Sequence, residues 1–218
     1  MKRNYNWLHH VFNFLGVILG VYLAFYINEK AKINEERDES LILMNSLVND
    51  LSEDIETYEA YQIPVNITYQ ENVENLLNLL LSDSLERISG QLPIILGVEN
   101  YAPTTSTYSS MKASGKLRLI GDLALQKKLN SYYEGLVIES TRKGEYQVDF
   151  FTNELLTWLT NNADLLEMEI LNKDNLIVLR NKLIIYQSLI DQKTESYKML
   201  VEHSKKLKEQ IESALKTK

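Results

Sequence analysis

Apolar positions along this chain recur every three or four residues over long stretches, and the strict alternation of strands is nearly absent. From Glu29 to Gln62, Leu41, Met44, Val48, Leu51, Ile55 and Tyr58 step by 3, 4, 3, 4 and 3. That is the seam of a helix that packs against other helices. Pro64 is expected to end this run, because proline lacks an amide proton and its ring crowds the preceding turn. A second helix is predicted over Val65 to Leu81, with Ile67, Val73, Leu76, Leu77 and Leu80 inward. The stretch "SGQLPIILGVENYAPTTS" then breaks the period. Its apolar run from Leu92 to Val98 holds Pro93 and Gly97, which predicts a buried, irregular or extended connector.

A third long helix is expected to start at the N-cap Asp122 and reach about Asn161, with Leu129, Tyr133, Leu136, Ser140, Gln147, Phe151, Leu155 and Trp158 on one face. "RKGE", Arg142 to Glu145, is a candidate interruption. Asp174 is expected to cap a final helix to about Lys216. Its seam is Leu176, Leu179, Leu183, Tyr186, Ile190, Tyr197, Leu200, Leu207 and Ile211, with polar Lys193 and Ser204 on the same line. Two such helices with a short connector predict an antiparallel hairpin. The expected fold is all-α: an N-terminal transmembrane helix continuing into an elongated antiparallel bundle of long, coiled-coil-like helices. The expected units are a tail and membrane helix (1–28), a stalk (29–63), a helix, connector and corner (64–121) and a helical hairpin (122–218).

"WLHHVFNFLGVILGVYLAFYIN", Trp7 to Asn28, contains no Lys, Arg, Asp or Glu. Its length matches the ~20 helical residues that cross a bilayer core. Trp7 at one edge and Tyr22 and Tyr26 near the other sit where interfacial aromatics belong. A buried core helix and a cleaved signal peptide are the rivals. Core helices rarely run so long without charge, and "YINEKAK" is a poor cleavage site. Lys2 and Arg3 favour an N-terminus on the cytoplasmic side. Gly16, Gly20 and Ala24 recur every four residues, a stripe that lets membrane helices approach, so a homo-oligomer through the anchor is one expectation. His9 and His10 are adjacent, so they diverge on a helix and do not chelate; no metal is expected.

"SSMKASGKLRLIGD", Ser109 to Asp122, is the densest local pattern. Ser109 and Lys112 satisfy S-x-x-K, the spacing of a serine nucleophile and a lysine base. The accompanying K-T-G element is absent, and nothing signals an oxyanion hole. The reading that uses more of the residues is structural. A short helix carries Tyr108 and Met111 inward, Ser110 and Ser114 lie near its end, Gly115 stops it, Leu117, Leu119 and Ile120 plug the bundle, Gly121 turns the chain and Asp122 starts the next helix.

"YSSMKASGKLRLIGDLALQKKLNSYY", "GVILGVYLAFYINE" and "LILMNSLVNDLSEDI" together resemble an uncharacterised family of small bacterial proteins with one N-terminal membrane helix and a helical domain. Ala24 and Asn28, and the pairs Leu47, Asp50, Leu51 and Asp54, hold the matching places. Lys30-Ala31 stands where that family usually has a Trp. The resemblance implies architecture and inner-membrane location, and no activity.

Composition narrows the functions. Cysteine is absent, so no disulfide or thiolate metal site is available. The formal net charge is −7, and residues 1–28 contribute only Lys2 and Arg3, leaving −9 on the remainder. An acidic body is unsuited to nucleic acid, which needs clustered Lys and Arg. No Gly-rich phosphate loop is present. The sequence therefore points to a single-pass protein of the bacterial inner membrane with a periplasmic helical domain. It is expected to act by binding an as yet unknown protein partner, without a cofactor and without catalysis. A ligand-sensing bundle, a membrane enzyme resting on Ser109 and Lys112, and a cytoplasmic body are the alternatives.

Overall fold

The computed structural model describes residues 5–82 and 88–217, which form an all-α protein with one small β-hairpin. Helix α1 (Tyr5–Thr57), a π-turn (Tyr58–Gln62) and α2 (Ile63–Leu81) follow one another without a break. From Trp7 to Leu81 they make one helix of 75 residues, ~110 Å long at 1.5 Å per residue. No glycine or proline lies between Gly20 and Pro64, so nothing stops the helix there. Lys2 and Arg3, on which the expected orientation rests, lie outside the described residues.

Pro64 does not end the helix. In the π-turn just before it the Ile63 amide reaches back to the Tyr58 carbonyl, and Pro64 enters α2 in its first turn. A widened turn relieves the clash of the ring, and a first-turn residue needs no amide partner. The π-turn also sets which face is buried. The inward line runs Ser40, Met44, Leu47, Leu51, Asp54, Tyr58, Gln62 and Asn66. Val48, Ile55 and Leu41 flank it half-buried, and Ile67 is exposed. The sequence-predicted seam was therefore rotated, because polar Asp54 and Asn66 occupy core positions.

The chain returns through a 3₁₀ turn (Leu92–Ile95), an extended stretch over residues 97–105, α3 (Ser106–Ala113) and a second 3₁₀ turn (Lys116–Ile120). A second rod over residues 123–162 comprises α4 (Leu123–Ser131), a π-turn (Tyr132–Val137), α5 (Ile138–Phe150), a π-turn (Phe151–Leu155) and α6 (Leu156–Asn162). Arg142 to Glu145 lie inside α5, so the irregularities fall elsewhere than "RKGE". Strands β1 (Ala163–Asp164) and β2 (Glu169–Ile170) pair antiparallel, Ala163 opposite Ile170. A 3₁₀ turn (Lys173–Asn175) leads into α7 (Leu176–Lys216). Asp174 is not the cap: the Asn172 side chain accepts from the Asp174 amide at 3.2 Å. A carboxamide two residues upstream closes that turn as an Asx-turn.

Helix α7 runs antiparallel to the first rod, with Tyr197 against Tyr58 and Leu179 and Leu183 in one cluster with Val73 and Leu76. Two apolar cores result. The lower one joins Met44, Leu47, Leu51, Tyr58, Leu129 and Ile211, and the upper one Val73, Leu76, Leu155, Leu159, Leu179 and Leu183. The apolar segment of α1 takes part in neither. None of its most apolar window is buried, and Trp7, Phe12, Phe14 and Phe25 are all more than half exposed. It is not a core helix of this chain. It is long and apolar enough to cross a membrane, and a fully exposed apolar cylinder of this size is costly in water.

The helix through Pro64 has a direct test. With no cysteine in the chain, nitroxides can be placed at Glu53→Cys and Glu74→Cys alone. An unbroken helix puts them about 30 Å apart by pulsed electron resonance; a markedly shorter distance would mean that Pro64 turns the chain.

Candidate functional site

The corner from Ser109 to Asp122 is a joint that clamps the base of α1. Helix α3 buries Tyr108 and Met111, and at its end the Ser114 hydroxyl and amide both bond the Ser110 carbonyl, at 2.7 and 3.0 Å. Gly115 (φ +69°) and Gly121 (φ +79°) bracket the following 3₁₀ turn. Side chains pay about 1–2 kcal/mol in that region, so glycine belongs at both. The Asp122 carboxylate accepts the Ala124 and Leu125 amides at 2.7 and 3.3 Å, an N-cap as expected. The buried Ser40 hydroxyl donates to the Leu119 carbonyl at 2.7 Å, and Glu36–Arg118 and Glu39–Lys116 pair at 3.0 and 2.5 Å. The ion pairs are exposed, so solvent screens them and they contribute little. The buried Ser40 bond and Ile120, 3 % exposed, carry more of the attachment.

The S-x-x-K pair is not assembled. Ser109 is exposed, and Lys112 reaches across to Glu134 at 2.8 Å. Hydrogen bonding from Lys112 holds the Glu134 carboxyl below its usual range. Ser109 lines a depression of about 450 Å³ with Tyr108, Tyr133 and Arg142, and no hydrogen bond joins it to Lys112. The stripe Gly16, Gly20 and Ala24 faces outward, and a Cβ at either glycine would meet nothing within 4 Å. The rings of His9 and His10 are 6.4 Å apart and tilted by 55°, and Asn13 lies 3.4 Å from His9. Among the described residues no group of three or more His, Cys, Asp or Glu is placed to hold a metal ion.

The strongest concentration of buried polar groups lies between the two cores. On the first rod it comprises Gln62 and Asn66, on the second Ser140 and Gln147, and on α7 Lys193 and Thr194. Across this belt runs the extended segment over residues 97–104, whose backbone has no helix to pair with. Side chains satisfy it. Tyr186 donates to the Gly97 carbonyl at 3.3 Å, and the Lys193 ammonium to the Glu99 carbonyl. The Tyr197 hydroxyl accepts the Tyr101 amide at 3.2 Å, and the Asp54 carboxylate accepts the Thr104 amide at 3.1 Å and the Tyr101 hydroxyl at 2.7 Å. The rings of Tyr101 and Tyr197 lie 5.1 and 4.7 Å from that of Tyr58. Gly144 lets the segment come close: a Cβ there would lie 1.9 Å from Asn100 Oδ1.

Electrostatics in the belt follow from burial. Desolvation pushes the Asp54 carboxyl up, opposed by the bonds it accepts from Tyr101 and Thr104. Burial, then the bond to Asp54, takes the Tyr101 hydroxyl up to about 12. Burial lowers Lys193 to about 7, and the nearby Glu99 charge works against that. Sequence reasoning noticed Lys193 as a polar residue on an apolar seam and Asp54 within a matched motif. It did not connect either to the connector, because the contact joins residues far apart in the chain.

Compared with family models, with curated proteins and with solved structures, the chain matched none.

Lys193 predicts a pH dependence. The folded protein loses this proton near pH 7, whereas an unfolded lysine keeps it to about 10.4. Between those values the unfolded chain binds more protons, so stability rises with pH and is lowest, as far as Lys193 is concerned, below about 7. Denaturant melts from pH 6 to 9 should show this rise, and Lys193→Met should flatten it. An equal slope in both proteins would remove Lys193 as its source.

Proposed function

We propose that this chain is a single-pass strut of the bacterial inner membrane, N-terminus in the cytoplasm, whose helical body stands in the periplasm and acts by binding another protein. One observation carries the reading: a single helix passes from the exposed apolar span through both cores to the far end of the bundle. From Asn28 to Leu81 that is ~80 Å of rigid helix. A rigid link transmits position, and a flexible linker does not.

The far end is suited to contact. The β-hairpin there is held tight by Asp164, whose carboxylate accepts the Leu166 and Glu167 amides at 2.8 and 3.1 Å. Met168 takes φ +53°, an uncommon conformation for its type. The hairpin holds Leu166 out at 88 % exposure, Leu171 just past β2 is 67 % exposed, and Glu167 and Glu169 are exposed on the same hairpin. An apolar side chain held out on an ordered turn that also carries acids suits a partner with an apolar, basic face. Catalysis by Ser109 has little support, since its lysine is engaged by Glu134. A ligand-sensing role is the second reading, and one observation favours it: a groove between the second rod and α7.

Topology tests the first reading. An alkaline phosphatase fused after Lys218 should be active, and a reporter that fluoresces only in the cytoplasm should stay dark there. A bright reporter with inactive phosphatase would put the body in the cytoplasm and end the periplasmic assignment.

A further inference from the structure

The second rod packs closely on α7 along α5 and diverges from it lower down, over α4 and the π-turn Tyr132–Val137. The divergence opens a groove of about 680 Å³, within the roughly 300–1,000 Å³ usual for small-molecule sites. Gly135 helps to make it: a Cβ there would meet nothing within 4 Å, so the missing side chain leaves space. The floor is apolar, from Tyr132, Leu136 and Leu207, and the Tyr132 hydroxyl is turned inward to Ser204 at 2.7 Å. The mouth is basic. Lys127, Lys128 and Lys206 stand around it, and of the three only Lys206 is paired, with Glu202 on its own helix. The single lining acid, Glu139, is taken by Lys143 at 2.8 Å. On a chain of net charge −7, two unpaired lysines beside an apolar floor form a local site for negative charge.

We propose that this groove binds a small amphipathic anion, its apolar body on Tyr132, Leu136 and Leu207 and its acidic head group at the mouth that Lys127, Lys128 and Lys206 rim. The floor provides burial without a polar demand. The lysines supply charge-assisted donors to a carboxylate or phosphate head. Neither feature alone selects such a ligand; together they favour an amphipathic anion over a neutral lipid or a fully polar anion. The inference does not depend on which side of a membrane the body occupies.

The test uses the full chain in lipid nanodiscs and a decanoate bearing a photoreactive diazirine. Cross-linked peptides are mapped by mass spectrometry, with decanoate and decanol as competitors. Labelling is expected on residues 131–136 and 203–210, with decanoate competing at least about tenfold better than decanol. Gly135→Leu, which fills the groove from an exposed helical position, should abolish that labelling at an unchanged melting temperature. Lys127→Gln with Lys128→Gln should keep labelling but reduce decanoate to the level of decanol. Labelling confined to residues 7–27, labelling indifferent to Gly135→Leu, or equal competition by acid and alcohol in the unaltered protein would each overturn the proposal. So would a dimer in light scattering that Gly135→Leu converts to monomer, since the groove would then hold a second copy of the chain.

Discussion

A half-buried stretch of extended backbone lies along this bundle, and its inward-facing amides and carbonyls must be paired there. Helices satisfy their own backbone; residues 97–104 cannot. Each buried unpaired group costs ~1–3 kcal/mol, so the surrounding helices carry Asp54, Tyr186, Lys193 and Tyr197 at positions that would otherwise be apolar. That requirement divides the core in two, with Tyr58 and Leu200 below and Val73 and Ile190 above. It also fixes register, because Asp54, Lys193 and Tyr197 must meet the same short segment from two different helices. A slip of the first rod or of α7 would leave a carboxylate or an amine buried without its partner.

The same arrangement joins the apolar span to the body. Below the belt, the corner clamps α1 through Ser40, Glu36 and Glu39. Within the belt α1 continues into α2 through a π-turn, and above it α2 packs into the upper core through Val73 and Leu76. The first rod is thus held at two levels as it passes from the apolar segment to the far end. The serine of the S-x-x-K pattern is a surface residue, and its lysine is committed to Glu134. Among the described residues, the hairpin carrying Leu166 and the lysine-rimmed groove at Gly135 stand open to solvent.

Much of this fold was legible in the residues. The seam of α7 was read position by position, including the two polar residues on it, because 3.6-residue periodicity over forty residues is a strong signal. Asp122 was legible as a cap and Gly115 as a stop, since each rests on local backbone chemistry. What failed were cases where a distant contact outweighs a local rule. Pro64 reads as a breaker, and only the preceding π-turn makes it harmless. Asp54 and Asn66, being polar, fall outside the apolar seams that the periodicity marks. The strap that buries Asp54 lies about fifty residues away in the sequence, and Asn66 returns its own amide to the Gln62 carbonyl at 2.7 Å. The groove left no trace in the sequence beyond a glycine and two lysines, because it arises from the divergence of the second rod and α7.

The central claim is that the half-buried extended segment is a structural member and not a loosely attached loop. Native-state hydrogen exchange of the Tyr101 and Thr104 amides measures this residue by residue. If Tyr197 and Asp54 hold them as described, both should exchange as slowly as core amides of α7 such as Leu200, and Asp54→Ala should release Thr104 selectively. Exchange of Tyr101 and Thr104 at the rate of an open loop, in a protein whose helices stay protected, would contradict the account.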